Sequence, residues 1–554
     1  MNRSIVTAAW IATLLLCSLQ SWAQEDHNDP VKSVEVNVVE AYKAQVKKAS
    51  KITSQPSFKD STTQKLPVKV SISPTPMILE FSPKPIPPIV LKGVRLPKLP
   101  TQSVTIGGGN YGTSLVNLTM SSPRSKRNVW GISVDHYGVQ GGLPTAYAKA
   151  PQYYNSAVVD YQRATRTYNF KTLFKGASDR NTYYGIMDST AVMDTMPALW
   201  NNNLRLEQHW TRLTNPTSKV PLIYRSGMVY GDVSLLSNNS FEWSAGTQQV
   251  LEVPVEGHRM AVPLNYSFIA NTPADGNAIT YHNVGLAPLV KGEKDIFNYR
   301  FGLNMMSTVS SDAANGKFKM FVYPTAVVQV ELLKRVLAVY GGWDGYAEQN
   351  TMKSILAQNP YVYTNMPLKI SGSNKIFAGM QGTLGGSLQY RVEGSLNLLT
   401  NALQFERDSS NAMMQVYGKS LPMLTVGYLN TTLTKVRGEL NLPKKYFTAT
   451  AYAELTASSQ DYVALEGRVL GGQLKIDWKD LHLVSNLKYV SGRYKGPGYE
   501  LADYMDLSIG LRYELNSNLN IQIKGSNLLN QQADIWSGYA MRGTRGIFAL
   551  QYQF

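Results

Sequence analysis

Asp506-Leu507-Ser508-Ile509-Gly510-Leu511-Arg512-Tyr513-Glu514-Leu515 alternates between apolar and polar residues from Leu507 on. In an extended chain Leu507, Ile509, Leu511, Tyr513 and Leu515 fall on one face, and Ser508, Gly510, Arg512 and Glu514 on the other. A helix would scatter both sets around its axis, so the stretch is a strand with one oily and one wet face. After the short turn Asn516-Ser517-Asn518 the pattern resumes, with Leu519, Ile521 and Ile523 set against Asn520, Gln522 and Lys524. Toward the C-terminus, Phe548, Leu550, Tyr552 and Phe554 alternate with Ala549, Gln551 and Gln553. Toward the N-terminus the same period runs through Leu388, Tyr390, Val392, Gly394, Leu396 and Leu398, and through Phe297, Tyr299, Phe301, Leu303 and Met305. It begins near residue 102.

A soluble sandwich also alternates, but three features point to a transmembrane barrel. The runs approach the 9–11 residues that cross a bilayer when tilted, beyond the usual soluble length of about 5–6. Their polar faces carry long charged and amide side chains, as a wet lumen does. Aromatics recur at strand ends, as in interfacial girdles. Short turns such as 516–518 also alternate with long polar loops such as Gly138 to Tyr154. The expected fold is therefore all-β: a transmembrane antiparallel β-barrel over 102–554, with an even strand number between about 16 and 22 and a real lumen.

Composition agrees. The chain has 554 residues, 17% charged and 43% hydrophobic, which excludes both a disordered chain and a bundle of membrane helices. Its 33 tyrosines suit strands with wet ends. A single cysteine excludes a disulfide framework, and six scattered histidines offer little to a metal centre, so no cofactor is expected. The formal charge of +16 admits nucleic acid, anionic lipid or an anionic solute as partner.

The cellular address decides among these. Arg3, the apolar stretch Ile5 to Leu19, and Ser21-Trp22-Ala23 before Gln24 form a secretory signal over residues 1–23. About 15 apolar residues are too few for a membrane anchor. Cys17 lies inside the signal; lipoprotein cleavage there is the minor alternative, since Leu14-Leu15-Leu16 places bulky residues where small ones are wanted. Export removes nucleic acid from the partners and leaves outer-membrane lipid, with the cell outer membrane of a Gram-negative bacterium as the location.

Residues 24–101 form a periplasmic or lumenal arm. From Pro67 to Pro100 there are nine prolines in 34 residues, a density that forbids helices and central strands and favours an extended path. Val68, Val70 and Ile72, with the apolar run near Ile78, Leu79 and Phe81, suit a segment laid against a surface; a plain linker is the other reading. Near the mature N-terminus Val34, Glu35, Val36, Asn37 and Val38 alternate as a short strand, which reads first as an ordinary local strand and second as one able to augment a partner sheet.

Both ends of the barrel region resemble one family. Asp506 to Tyr513, Gly525-Ser526-Asn527-Leu528-Leu529-Asn530, Arg545-Gly546 and the final strand through Phe548, Leu550, Tyr552 and Phe554 look like the end of TonB-dependent receptor barrels. Gly108-Gly109-Asn110-Tyr111-Gly112, then Arg124-Ser125-Lys126 and Trp130-Gly131, look like the barrel start in a smaller, receptor-like branch. The resemblance implies that the terminal aromatic strand is a barrel-insertion signature. It also implies that Val34 to Val38 lies where the contact with a periplasmic energy-coupling protein would sit. Family receptors carry a folded plug before the barrel; here only the Pro-rich residues 24–101 are available, and no complete plug is visible.

The resemblance implies a receptor-like outer-membrane channel or transporter for an unidentified solute. The alternative is a structural or assembly component of an outer-membrane complex. An enzyme is not expected: Asp135-His136 is an acid–His pair, but no G-x-S-x-G accompanies it.

Overall fold

A computed structural model describes residues 101–554, apart from 124, 126, 144–149, 186–197, 214–222, 256–257, 275, 313–317, 363–367, 408–412, 417–418, 423, 464 and 497–498. The signal, the arm and Val34 to Val38 lie outside the described residues.

The alternation read from sequence closes on itself. Twenty-four segments join one sheet, and two pairs of them are halves of a single strand, which gives a closed antiparallel barrel of 22 strands. In chain order the first nine are β1 Gln102–Gly109, β2 Thr113–Ser121, β3 Asn128–Val139, β4 Gln152–Ala164, β5 Tyr168–Thr182, β6 Ala198–Arg212, β7 Ile223–Leu236, β8 Phe241–Val255 and β9 His258–Thr272. Then come β10 Ile279–Leu286 with Leu289–Lys294, β11 Phe297–Ser310, β12 Phe318–Leu333 and β13 Leu337–Gln349. Helix α1, Met352–Gln358, precedes β14 Ile370–Leu384, β15 Leu388–Arg407, β16 Leu424–Pro443 and β17 Phe447–Ser458. The last are β18 Glu466–Trp478, β19 Leu481–Gly496, β20 Tyr499–Leu501 with Tyr504–Glu514, β21 Leu519–Ser526 and β22 Arg545–Gln553.

The break in β10 has a chemical cause. Pro288 has no N–H for the ladder, and Leu303 N instead donates to its carbonyl at 3.1 Å. The seam pairs the first strand with the last, Ile106 opposite Leu550 and Gly109 opposite Ile547. The two backbones approach so closely there that a Cβ on Gly109 would lie 2.1 Å from the Gly546 carbonyl oxygen.

The outer surface carries the oily face. Phe297, Phe301 and Leu303, Val392, Leu396 and Leu398, and Phe548, Leu550 and Tyr552 are all exposed large apolar groups, and their strand neighbours turn inward. Such a belt is stable in lipid, where each large side chain gains about 1.5–3 kcal/mol over water. The protein is an outer-membrane barrel.

Both ends of the described chain lie at the rim of short turns, the periplasmic rim. The opposite rim bears the long loops, among them 140–151, 350–369 and 527–544. Several strands are longer than the sequence suggested, up to 20 residues in β15 and β16. The loop expected over Gly138 to Tyr154 accordingly shrinks to 140–151, because β3 and β4 continue past it on both sides.

A lid at the outer mouth and a charged lumen wall

Described parts of several outer loops pack together into a lid. Its core contains Tyr183, Tyr184, Met352, Ile355, Leu356, Tyr361, Val362, Leu403, Phe405 and Tyr539, all nearly inaccessible to solvent. These residues come from loops and strand ends far apart in sequence, and only their shared position at the outer rim unites them.

Helix α1 is the centre of the lid. Thr351 caps it, its hydroxyl accepting from Ser354 N at 3.0 Å while Ser354 Oγ accepts from Thr351 N at 2.9 Å. Met352, Ile355 and Leu356 form its buried face. Seven residues do not hold a helix in water, so packing and anchoring must stabilise it. Glu242, at the outer end of β8, supplies the anchor: its carboxylate accepts from Met352 N at 2.7 Å and Lys353 N at 3.2 Å.

Lys353 carries the attachment down into the lumen. Its ammonium donates to Asn203 Oδ1 at 2.9 Å and to Asp232. Asp232 also pairs with Arg205 at 3.4 Å, and Arg205 bonds Glu207 at 2.6 Å. Glu207 collects Lys175 at 3.0 Å and His209 at 2.7 Å. A chain of alternating charge therefore runs from the lid along the inner faces of β5, β6 and β7.

The same buried core holds an aromatic centre. Tyr361 and Tyr539 stack with ring centres 4.0 Å apart, and Tyr184 meets them edge-on at 5.5 and 5.1 Å. Gln152 donates to Tyr361 OH at 2.5 Å. Arg542 donates to the Ala150 carbonyl at 2.6 Å, to Gln152 Oε1 at 3.3 Å and to the Gly141 carbonyl. One guanidinium thus binds the loop before β22 to the loop between β3 and β4. Burial pushes the Tyr184 hydroxyl well above the ordinary tyrosine range and lowers Arg542.

Below the lid the lumen wall is polar and paired. Arg391 and Lys375 both bind Glu393, at 3.2 and 2.6 Å, and Tyr340 bridges Arg391 and Glu393. On the next strands Glu454 takes Lys435 at 2.7 Å and Arg437 at 3.3 Å, and Arg437 reaches Glu439 at 3.1 Å. Arg300 pairs with Asp344 at 3.0 Å. A wall recess of about 660 Å³ opens among Lys291, Arg300, Gln329, Tyr340, Phe377 and Arg391. Most wall cations sit beside carboxylates, so the wall is a lattice of paired charges able to exchange partners with a passing polar solute.

Phe548, Leu550, Tyr552 and Phe554 all lie exposed on the outer face, and the Phe554 ring meets Tyr552 edge-on at 4.7 Å. Asp135 and His136 are successive residues of β3 and point to opposite faces. Asp135 accepts from Ser133 at 3.2 Å and from Asn117, whereas His136 bonds Ser114 at 2.9 Å and Asn155 at 2.7 Å. They form no acid–His unit. Among the described residues no group of three His, Cys, Asp or Glu side chains is placed to hold a metal ion.

Comparison with solved structures places this architecture. A copper transporter, OprC, superposes with a TM-score of 0.61 at 11% identity, covering 82% of this chain and 80% of its own. The FrpB iron transporter of Neisseria meningitidis gives 0.63 at 10% identity over 84% and 82%. The siderophore receptor PirA of Acinetobacter baumannii gives 0.60 at 11% over 82% and 80%. The fold is that of the TonB-dependent receptor barrels. The receptor-like resemblance at the two ends of the sequence thus extends through the middle of the barrel. At these identities the likeness is one of fold. No family model and no curated protein sequence matches the chain.

Proposed function

We propose that this receptor-like barrel is an outer-membrane transporter that takes up a polar solute, with the lid at its mouth as the gate. The observation that carries the reading is the union of a wide polar lumen with a folded lid over its outer end. A structural component has no use for a lumen wall of exchangeable ion pairs. The solved barrels it superposes on are named as transporters and receptors, for copper, iron and siderophores. The paired polar side chains of the wall suit a solute bound through polar contacts.

Residues 24–101 would then serve as the periplasmic or lumenal segment, and Val34 to Val38 as the contact for an energy-coupling protein. The test is conductance of the purified protein in planar bilayers. Glu242→Ala removes both acceptors at the N-terminus of α1, and the lid segment is expected to loosen by about 2 kcal/mol. Open-channel events should become at least several-fold more frequent. Unchanged silence, together with stoichiometric co-purification of another outer-membrane protein, would favour the assembly reading.

A further inference from the structure

The charges of the periplasmic rim are unevenly placed. Four neighbouring turns, at 334–336, 385–387, 444–446 and 479–480, join β12 through β19 in pairs. They carry Lys334, Arg335, Lys444, Lys445 and Lys479 against one acid, Asp480, and all five cations are exposed. None of the five forms an ion pair with a described residue. Lys444 has only a neutral partner, Ser387 Oγ at 2.7 Å, and Asp477 nearby is taken by His482 at 2.6 Å. Elsewhere on this rim Arg127 and Arg166 are likewise exposed.

The neighbours of these cations identify the partner. Leu332, Leu333 and Val336 flank the first pair, Tyr446 and Phe447 the second, and Trp478 precedes Lys479; all are exposed. Lys445 lies 4.9 Å from the Tyr446 ring centre and Lys479 5.3 Å from that of Trp478. These two lysines are tied to side chains that belong in the hydrocarbon edge, and the other three cations lie in turns flanked by such groups, which sets the arc at headgroup depth. An acidic protein docking from the periplasm would leave those apolar groups unused. The arc spans eight strands, roughly 35 Å of circumference, so it faces a row of lipids.

We propose that this arc is a binding site for anionic phospholipid, selecting phosphate-bearing headgroups of net negative charge from the periplasmic leaflet. The five cations neutralise the headgroups while the flanking aromatic and aliphatic groups hold the acyl chains. The site is independent of the transport reading, because it lies outside the lumen.

The experiment is native mass spectrometry of the full-length mature protein released from vesicles of equimolar phosphatidylglycerol and phosphatidylcholine. Wild type should retain phosphatidylglycerol in at least about tenfold excess, falling steeply at high salt. The variant with Lys334, Arg335, Lys444, Lys445 and Lys479 all changed to Gln should retain the two lipids nearly equally. Lys524→Gln, on the lumen side, should behave as wild type, and heat-dependent gel mobility verifies that each barrel is folded. Glycerol phosphate should not displace the lipid, whereas full competition would mean a free-phosphate site and overturn the assignment. Equal retention by wild type, a preference that survives the fivefold change, or polyglutamate displacing the lipid would each overturn it as well.

Discussion

Arg542 fastens two of the outer loops to each other. Its guanidinium satisfies the buried Ala150 carbonyl, the half-buried Gly141 carbonyl and the buried Gln152 amide oxygen, and Arg542→Ala removes the donor from all three at once. The expected loss is about 3 kcal/mol or more, localised to the lid. Limited proteolysis of intact cells should then nick the outer loops many times faster, while the barrel keeps its heat-dependent gel shift. Tyr184 gives the lid a pH limit. Its hydroxyl donates to the Ala540 carbonyl at 3.0 Å, and burial holds its pKa well above the unfolded value of about 10. A folded pKa above the unfolded one means that the stabilisation is complete below pH about 10 and declines as pH rises through the folded value. Protease sensitivity of the loops should therefore rise in strongly alkaline buffer before the barrel itself unfolds. Neither residue was legible in the sequence. An arginine in a loop carries no periodic signal, and its partners lie about 400 positions away. Asp135-His136 shows the converse: two adjacent letters have the form of an acid–His pair, and the strand sends them to opposite faces.

Among the elements, the strands were legible and the helix was not. Period-2 alternation survives in a wide barrel because each side chain meets only lipid or lumen, so tertiary context does not overwrite it. Helix α1 has seven residues, too few to show a helical period, and its capping box uses Ser354 where Glu or Gln is usual. The seam strands make two predictions. Gly109→Val would drive a branched side chain into the Gly546 carbonyl, already 2.1 Å from where a Cβ would sit. Assembled, heat-modifiable barrel should fall severalfold with export unchanged. Phe554 is exposed at the membrane edge, and its N–H bonds Gln102 O at 2.9 Å. Deleting it removes both the anchor and that closure bond, and a sharp drop in outer-membrane protein is expected on immunoblots.

At the scale of the whole molecule, the lid changes the question posed by residues 67–100. A barrel of 22 strands encloses an aqueous path, and the lid occupies only its outer end. If the Pro-rich arm fills the lumen, its deletion leaves the lid as sole barrier, and small-solute conductance should rise further when Glu242→Ala is combined with it. If the arm tethers a periplasmic partner, deletion should release that protein during purification and leave conductance alone. Closure and membrane setting were readable from the strand pattern and the two chain ends. The lid was not, because it is assembled from segments that share no sequence motif.

Contacts of this span bear on the order in which the molecule comes together. The bonds from Arg542 to Gly141 and Ala150, and from Tyr184 to Ala540, join segments that the chain emits near the beginning and the end of the barrel. Closing loops of that length early carries an entropic penalty that few local contacts offset. Once the first and last strands have zipped, the same residues are held side by side and the lid can condense. The lid is therefore a late marker of biogenesis: a chain halted with its seam open would have most of its hairpins formed and its surface loops still unlocked.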